Sequence, residues 1–297
     1  MEAFSSADTE PQILADIIEG AKDPEQKIDM DLELLDIDAL DTGRHHALVI
    51  VDPEDKRNIK GFLHLAVVTS QAVDAAEQQL YYTWGSIHYR RIVGLTELLN
   101  ALNEYTDITG DIWSGYTFAS RELFNTPWIL VSTFVAFRLA ESEAQNIGKY
   151  LTGGGFLFAD NYWASSTNGY RHLRQMFKDA LATQGVLFEK HWGFEKLPND
   201  HPIYHCYFDF EGPPMGNDAG VVSGGLHYPG MEVLFYLEGV PVEGEMAGIV
   251  SNKCYLSTWR NVFRKNNVRQ LQFGVNTIVF ALTREGSITH RLMDSIK

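Results

Sequence analysis

The run LTGGGFLFADN at residues 151–161 constrains this chain more than any other stretch. It reads as a helix end, three glycines, a short fully apolar strand, and then a carboxylate and an amide where the strand stops. Glycine ends helices readily because it adopts left-handed backbone angles without a Cβ clash. A strand with no polar residue on either face must be covered on both, as in a parallel sheet with helices packed against it. In open sheets of that kind ligands bind beyond the carboxyl ends of the strands. Asp160 and Asn161 are therefore expected at the mouth of any site.

The rest of the chain repeats the alternation. Apolar runs at 46–51 and 61–68 flank a charged Asp-Pro turn at 52–60, and 62–68 reads as the first central strand. Residues 90–105 place Ile92, Leu95, Leu98, Leu99 and Leu102 on one helical face. A short strand at 106–112, a buried strand at 128–133 and a helix at 141–151 follow. After the strand at 156–159 and a polar loop at 160–169, Leu173, Met176, Phe177, Ala180 and Leu181 mark a helix over 170–184. Residues 194–244 are irregular and rich in Pro, Gly and aromatics, an excursion expected at the sheet edge. A last strand at 246–251 and a helix at 269–283 close the pattern. Strand and helix in alternation predict an α/β fold, with a parallel sheet covered by helices on both faces.

Charge is unevenly placed. Of a net −15, residues 1–44 carry −10 and the remaining 253 residues only −5. The expected organisation is an acidic N-terminal leader (1–44) and one α/β domain (45–297). Within the leader, a short helix at 12–19 and a half-buried strand at 28–34 are expected. Phosphate binding needs a basic footprint, so nucleic acid is not expected as a partner. No apolar run reaches the roughly 18–20 residues of a membrane helix, so no membrane insertion is expected. Two cysteines, Cys206 and Cys254, make no disulfide framework, although one bridge between them is conceivable; reduced thiols are the simpler reading and suit the cytosol. A chain processed from an exported precursor would look the same, which leaves the periplasm open.

Three pieces together resemble the bacterial family known as domain of unknown function 4159: LTGGGFLFAD at 151–160, LPNDHPI at 197–203 and FGVNTIVFAL at 273–282. The likeness spans roughly residues 60–285. It implies a three-layer, flavodoxin-like layout akin to class I glutamine amidotransferases and their trehalose-utilisation-like relatives. It brings no established activity.

A glutaminase needs a Cys on a strained strand-to-helix turn with a His to activate it. The strand end here reads Ala159-Asp160-Asn161-Tyr162, and neither Cys206 nor Cys254 has flanking glycines. Asp160 can instead act as general base, metal ligand, hydrogen-bond acceptor for a sugar hydroxyl, or cap of the turn that follows. Asn161, Tyr162 and Trp163 would suit a ring-bearing polar ligand. Ser132 and Thr133 end one strand and Asn252 follows another, so the same rule makes them ligand candidates.

His201 and His205 are spaced as zinc ligands on a helix would be. However, 203–210 reads as a strand, where four residues span roughly 13 Å, too far for two metal–nitrogen bonds of about 2 Å. No metal is expected. His201 in a turn could still meet Asp160 across a cleft. The triple glycine precedes its strand, whereas a dinucleotide fingerprint follows one, so no cofactor is expected either. Arg260, Arg264, Lys265 and Arg269 read as a solvated basic face, or as a dock for an anion or for the leader.

These residues favour a noncatalytic domain that binds a small polar ligand or takes part in an assembly. The alternative is a hydrolase acting on a sugar-like molecule with Asp160 and His201 as acid and base. A third reading is an interaction module whose leader docks on a protein partner or a second copy.

Overall fold

β1 (Ala47–Val51) and β2 (Ile59–Thr69) pair antiparallel, with Val51 opposite Ile59. Asp52 closes the turn between them, its carboxylate accepting from the Glu54 amide at 2.8 Å and from Asn58 Nδ2 at 3.1 Å. The structure, a computed structural model, describes residues 47–52, 54–84, 87–163, 167–216, 234–260 and 266–290. All of these belong to one unit, Asp41–Lys297. The acidic leader, with its expected helix and strand, lies outside the described residues.

Two helices, α1 (Gln71–Trp84) and α2 (Ile87–Tyr105), lead into β3 (Asp107–Thr117). Then come β4 (Trp128–Thr133), α3 (Glu141–Thr152), β5 (Phe156–Asn161) and α4 (Thr167–Ala182). The chain continues through β6 (Glu195–Lys196), β7 (Glu238–Val242), β8 (Glu245–Ser251), α5 (Tyr255–Trp259) and α6 (Val268–Thr283). Across the sheet the order is β3-β2-β4-β5-β8-β7-β6, with β1 beside the first half of β2. Pairings among β3, β2, β4, β5 and β8 are parallel; β1, β7 and β6 join antiparallel at the margins. The fold is thus mixed α/β with a mostly parallel central sheet.

Every residue of β4 and β5 is buried, and the pleat sends alternate side chains to opposite faces. Trp128, Leu130, Phe156, Phe158 and Ile249 pack with Leu95 and Leu98 of α2, Trp259 of α5 and Phe273 of α6. Ile129, Val131, Leu157, Ala159 and Val250 pack with Ile147 and Leu151 of α3 and Leu173 and Phe177 of α4. Burying a side chain of this size contributes about 1.5–3 kcal/mol each, so this continuous two-sided core fixes where the strand ends fall.

Several expectations shift. Helix α1 was not expected, and β3 runs to Thr117 rather than stopping at 112. Asp160 and Asn161 belong to β5 itself, not to a loop, and α4 starts at Thr167. Residues 195–196 and 238–242, within the stretch expected to be irregular, add β6 and β7 to the sheet. The expected strand at 203–210 is a 3₁₀ turn (Pro202–Tyr204) followed by irregular chain.

The last difference has a physical cause. The fully buried Asn276 of α6 stands in for a neighbouring strand. Its Nδ2 donates to the carbonyls of Ile203 (3.1 Å) and Phe208 (2.8 Å), and its Oδ1 accepts from the Phe208 amide at 2.8 Å. Tyr204 stacks on Phe273 at 5.8 Å, and Phe210 meets the same ring edge-on at 5.7 Å. Residues 203–210 of the excursion therefore cover α6 instead of lying along the sheet edge.

The glycine triplet anchors residues 284–288. Gly154 sits at φ +94, and a Cβ there would lie 2.3 Å from the Gly286 carbonyl oxygen. Arg284 donates to the carbonyls of Gly154 and Gly155 at 2.8 and 3.2 Å. This is the amino end of β5, the end remote from Asp160.

Candidate functional site

The carboxyl ends of β4, β5 and β8 line up polar residues in register. Ser132 lies opposite Asp160, and Asp160 lies opposite Ser251 on the next strand; Thr133 lies opposite Asn161. All five are almost wholly buried. Buried polar groups cost free energy unless hydrogen-bonded, so their partners define what the site can do.

Asp160 is held by α5. Its Oδ2 accepts from the Leu256 amide at 3.1 Å, within the first turn of that short helix. The expected local cap is thus a long-range one, across 96 positions of sequence. Before α5, Cys254 adopts left-handed angles (φ 56, ψ 48) at a strand-to-helix turn, and its thiol donates to the Tyr162 carbonyl at 2.6 Å. The turn has the outline of a nucleophile elbow, although the thiol is buried and committed to a carbonyl.

Asn161 ties two strand ends together. Its Nδ2 donates to Asn252 Oδ1 at 2.6 Å and to the Trp163 carbonyl at 2.9 Å. Gly169 packs against it so closely that a Cβ would lie 2.3 Å from Asn161 Oδ1. Phe134 contacts Tyr162 and Trp163 with ring centroids 6.0 and 5.5 Å away. Six of the expected ligand residues (Ser132, Thr133, Asn161, Tyr162, Trp163 and Asn252) therefore cluster at this edge, together with Asp160.

The structure adds charged residues that sequence reasoning missed. Arg91 of α2 is almost completely buried, donates through Nε to the Ser132 carbonyl at 2.8 Å, and pairs through Nη2 with Glu77 of α1. Glu77 also accepts from the Thr133 hydroxyl at 3.1 Å. Burial pushes the Glu77 carboxyl above its usual range, against the opposing pull of the Arg91 guanidinium. Arg90 and Arg260 both donate to the Tyr162 hydroxyl, at 3.4 and 3.2 Å. Among the described residues, Arg91 Nη1, Ser132 Oγ and Arg260 Nε are buried without a hydrogen-bond partner.

A signal for Arg91 was present in the sequence, since it falls four residues before Leu95 on the inward stripe of α2. Arg260 departs from the expected solvated face, being half-buried against Tyr162. Arg269 of the same run lies 3.9 Å over the Phe210 ring. Arg264 and Lys265 lie outside the described residues.

His201 is elsewhere. Its Nδ1 accepts from the Ile203 amide at 3.2 Å, capping the 3₁₀ turn, and its ring lies 5.5 Å from Phe280. It lines a groove of about 540 Å³ with Glu195, Pro241, Met246 and Arg284. Met246 stands at the amino end of β8, five residues before Ser251, the partner of Asp160. At ~3.3 Å per residue that is roughly 16 Å of strand. Asp160 and His201 thus sit at opposite ends of the sheet and do not share a cleft. Burial also lowers the His201 pKa from its ordinary value, with Asp200 opposing.

Among the described residues no three His, Cys, Asp or Glu side chains converge as a metal set would, and no helix is long and apolar enough to cross a membrane. No curated protein matches the chain. Residues 78–282, more than half of the chain, match the family described as a domain of unknown function, DUF4159. The chain belongs to the DUF4159 family.

Proposed function

We propose that this chain is a noncatalytic ligand-binding domain on a three-layer, amidotransferase-like sheet, taking a small polar ligand at the carboxyl edge of β4, β5 and β8. The layout is supported by the strand order. Reading the parallel strands as they occur, β3-β2-β4-β5-β8 is the 2-1-3-4-5 order of flavodoxin-like sheets, in which ligands bind where the order reverses, between β2 and β4. That is the edge where Ser132 and Arg91 lie.

The observation that carries the reading is the buried, unpartnered Ser132 hydroxyl beside the equally buried Arg91 Nη1. Orphaned polar groups of this kind are rare, because each costs about 1–3 kcal/mol, and a ligand that bonds to them offsets the cost. A hydrolytic role is disfavoured by the separation of Asp160 from His201 and by the use of Asp160 Oδ2 to hold α5.

The test is a thermal-shift screen of sugars, polyols and small acids on the full chain and on Ser132→Ala. Removing an unpartnered hydroxyl should leave the melting temperature of the bare protein unchanged or raised. The same change should weaken binding of any responding compound by about tenfold. Binding that is identical in Ser132→Ala would remove this edge as the site.

A further inference from the structure

We propose that a groove over the start of α6 binds an amino acid or a short peptide with free ends, that is, a zwitterion with an apolar body. It is a second site, and none of its lining residues belongs to the strand-end cluster.

The groove holds about 760 Å³, within the range of small-ligand pockets. Phe235 and Met215 line it with 69% and 40% of their surface open to water, beside Phe210, Pro213 and Pro214. Apolar surface gathered in one exposed patch marks an interaction site. The wall is firmly mounted. Lys56 donates to the His205 carbonyl at 2.8 Å and pairs with the Asp209 carboxylate at 2.9 Å. The Tyr255 hydroxyl donates to the Pro214 carbonyl at 2.6 Å, and Gln270 Nε2 to the Met215 carbonyl at 2.8 Å. A wall fixed in advance loses little freedom when a ligand arrives.

Two charges of opposite sign complete the lining. Arg269 lies 3.9 Å over the Phe210 ring and donates to two neutral acceptors, the Asp209 carbonyl at 2.8 Å and Gln272 Oε1 at 2.9 Å. It pairs with no carboxylate among the described residues, because Lys56 takes that of Asp209 and Glu211 stands apart. Glu211 makes no ion pair there either. Yet Glu211 follows Asp209, the partner of Arg269, by only two residues, a span of at most ~7 Å along the chain.

A guanidinium and a carboxylate that line one groove without joining suit a ligand carrying both complementary charges. A carboxylate matches the arginine fork, and an ammonium matches the glutamate. A simple anion would leave Glu211 unmatched, and a simple cation would leave Arg269. The ends of an amino acid or dipeptide carry both charges a short distance apart, and an apolar side chain between them meets Phe235 and Met215.

The experiment measures binding to the full chain by calorimetry, with phenylalanine and the dipeptide Phe-Leu as probes. Beside them run N-acetyl-Phe-Leu, Phe-Leu amide and the doubly blocked dipeptide. A free probe should bind, and blocking either end should weaken binding about tenfold, as losing one charge-assisted hydrogen bond would. Arg269→Gln should bind Phe-Leu and its amide alike, and Glu211→Gln should bind Phe-Leu and its acetylated form alike. Phe235→Ala should weaken both free probes, whereas Ser132→Ala should leave them unchanged. Comparing free and blocked dipeptides on the parent chain needs no variant, so the test survives any variant that fails to fold. Phenylalanine binding as tightly as Phe-Leu assigns the groove to amino acids, and tighter binding of the dipeptide assigns it to peptides. Equal binding of the free and doubly blocked dipeptides would overturn the inference, as would silence from both free probes. A preference for acid over amide that survives in folded Arg269→Gln would overturn it too.

Discussion

Asp160 Oδ2 accepts the backbone N–H of Leu256 at 3.1 Å, so the carboxylate at the end of β5 holds the first turn of the helix that follows β8. Two neighbouring parallel strands are thereby locked at their carboxyl ends. The aspartate is here an organiser of backbone.

Asp160→Ala should therefore destabilise the protein by about 1–3 kcal/mol, the cost of leaving a buried amide without its acceptor. Asp160→Asn keeps an oxygen acceptor and should cost less. Urea denaturation of the two variants checks this. Equal stability of Asp160→Ala and the parent would show that the carboxylate does not hold α5.

Asn276 offers a second stability test. Its side chain satisfies three backbone groups of the 203–208 segment. Asn276→Ala should cost on the order of 3 kcal/mol, and the Phe208 amide should exchange its hydrogen faster. Loss of stability without any change in exchange at Phe208 would place the effect elsewhere.

Stability should also depend on pH through His201. Burial lowers its folded-state pKa below the value in the unfolded chain, so the unfolded state binds the proton more readily. The contribution is fully present above the ordinary histidine value of about 6.5 and is lost as pH falls through the lowered folded value. Melting temperatures of the parent and of His201→Asn, compared from neutral to mildly acidic pH, should converge toward the acid end. Parallel curves would exclude His201 as a contributor.

Both cysteines should resist thiol reagents in the folded protein. Burial pushes the Cys206 thiol up to about 12, and it donates to the Asn276 carbonyl at 3.2 Å. Cys254 is buried and bonded to the Tyr162 carbonyl. Reaction with a disulfide reagent near pH 8 should be slow until the protein is unfolded, when two thiols should titrate. Rapid reaction of one thiol in the native state would mark a reactive cysteine that this geometry does not provide.

Much of the sheet was readable from local pattern. The unbroken apolar runs at 128–133 and 156–159 mark strands buried on both faces. The spacing of Leu173, Met176, Phe177 and Ala180 marks α4, because periodicity reports burial directly. The run at 203–210 misled for the same reason. Its aromatic and β-branched residues suit a strand, but the partner satisfying its backbone is an asparagine on α6, and no local rule reveals a partner 68 to 73 residues away.

The polar edge was half legible. Ser132, Thr133, Asp160, Asn161 and Asn252 follow from the rule that parallel strands end at the site. Arg91 and Glu77 do not follow from that rule; the place of Arg91 on the inward stripe of α2 signals burial, but the partner that compensates each charge is set by the fold. His201 illustrates the opposite failure. A histidine beside an Asp and a Pro looks available for chemistry, yet topology puts it at the far end of the strands.

By itself the sequence determined the alternation of strands and helices, the two-sided burial of the central strands and the polar character of their carboxyl ends. Those are properties of residues close together along the chain, set by side-chain periodicity and by solvation. Only the tertiary structure decided which charges meet. It joined Arg91 to Glu77, drew Arg90 and Arg260 to one tyrosine, and turned Asp160 toward a helix 96 positions away. Those encounters depend on strand order and register, through which a packed core brings distant segments within hydrogen-bonding distance.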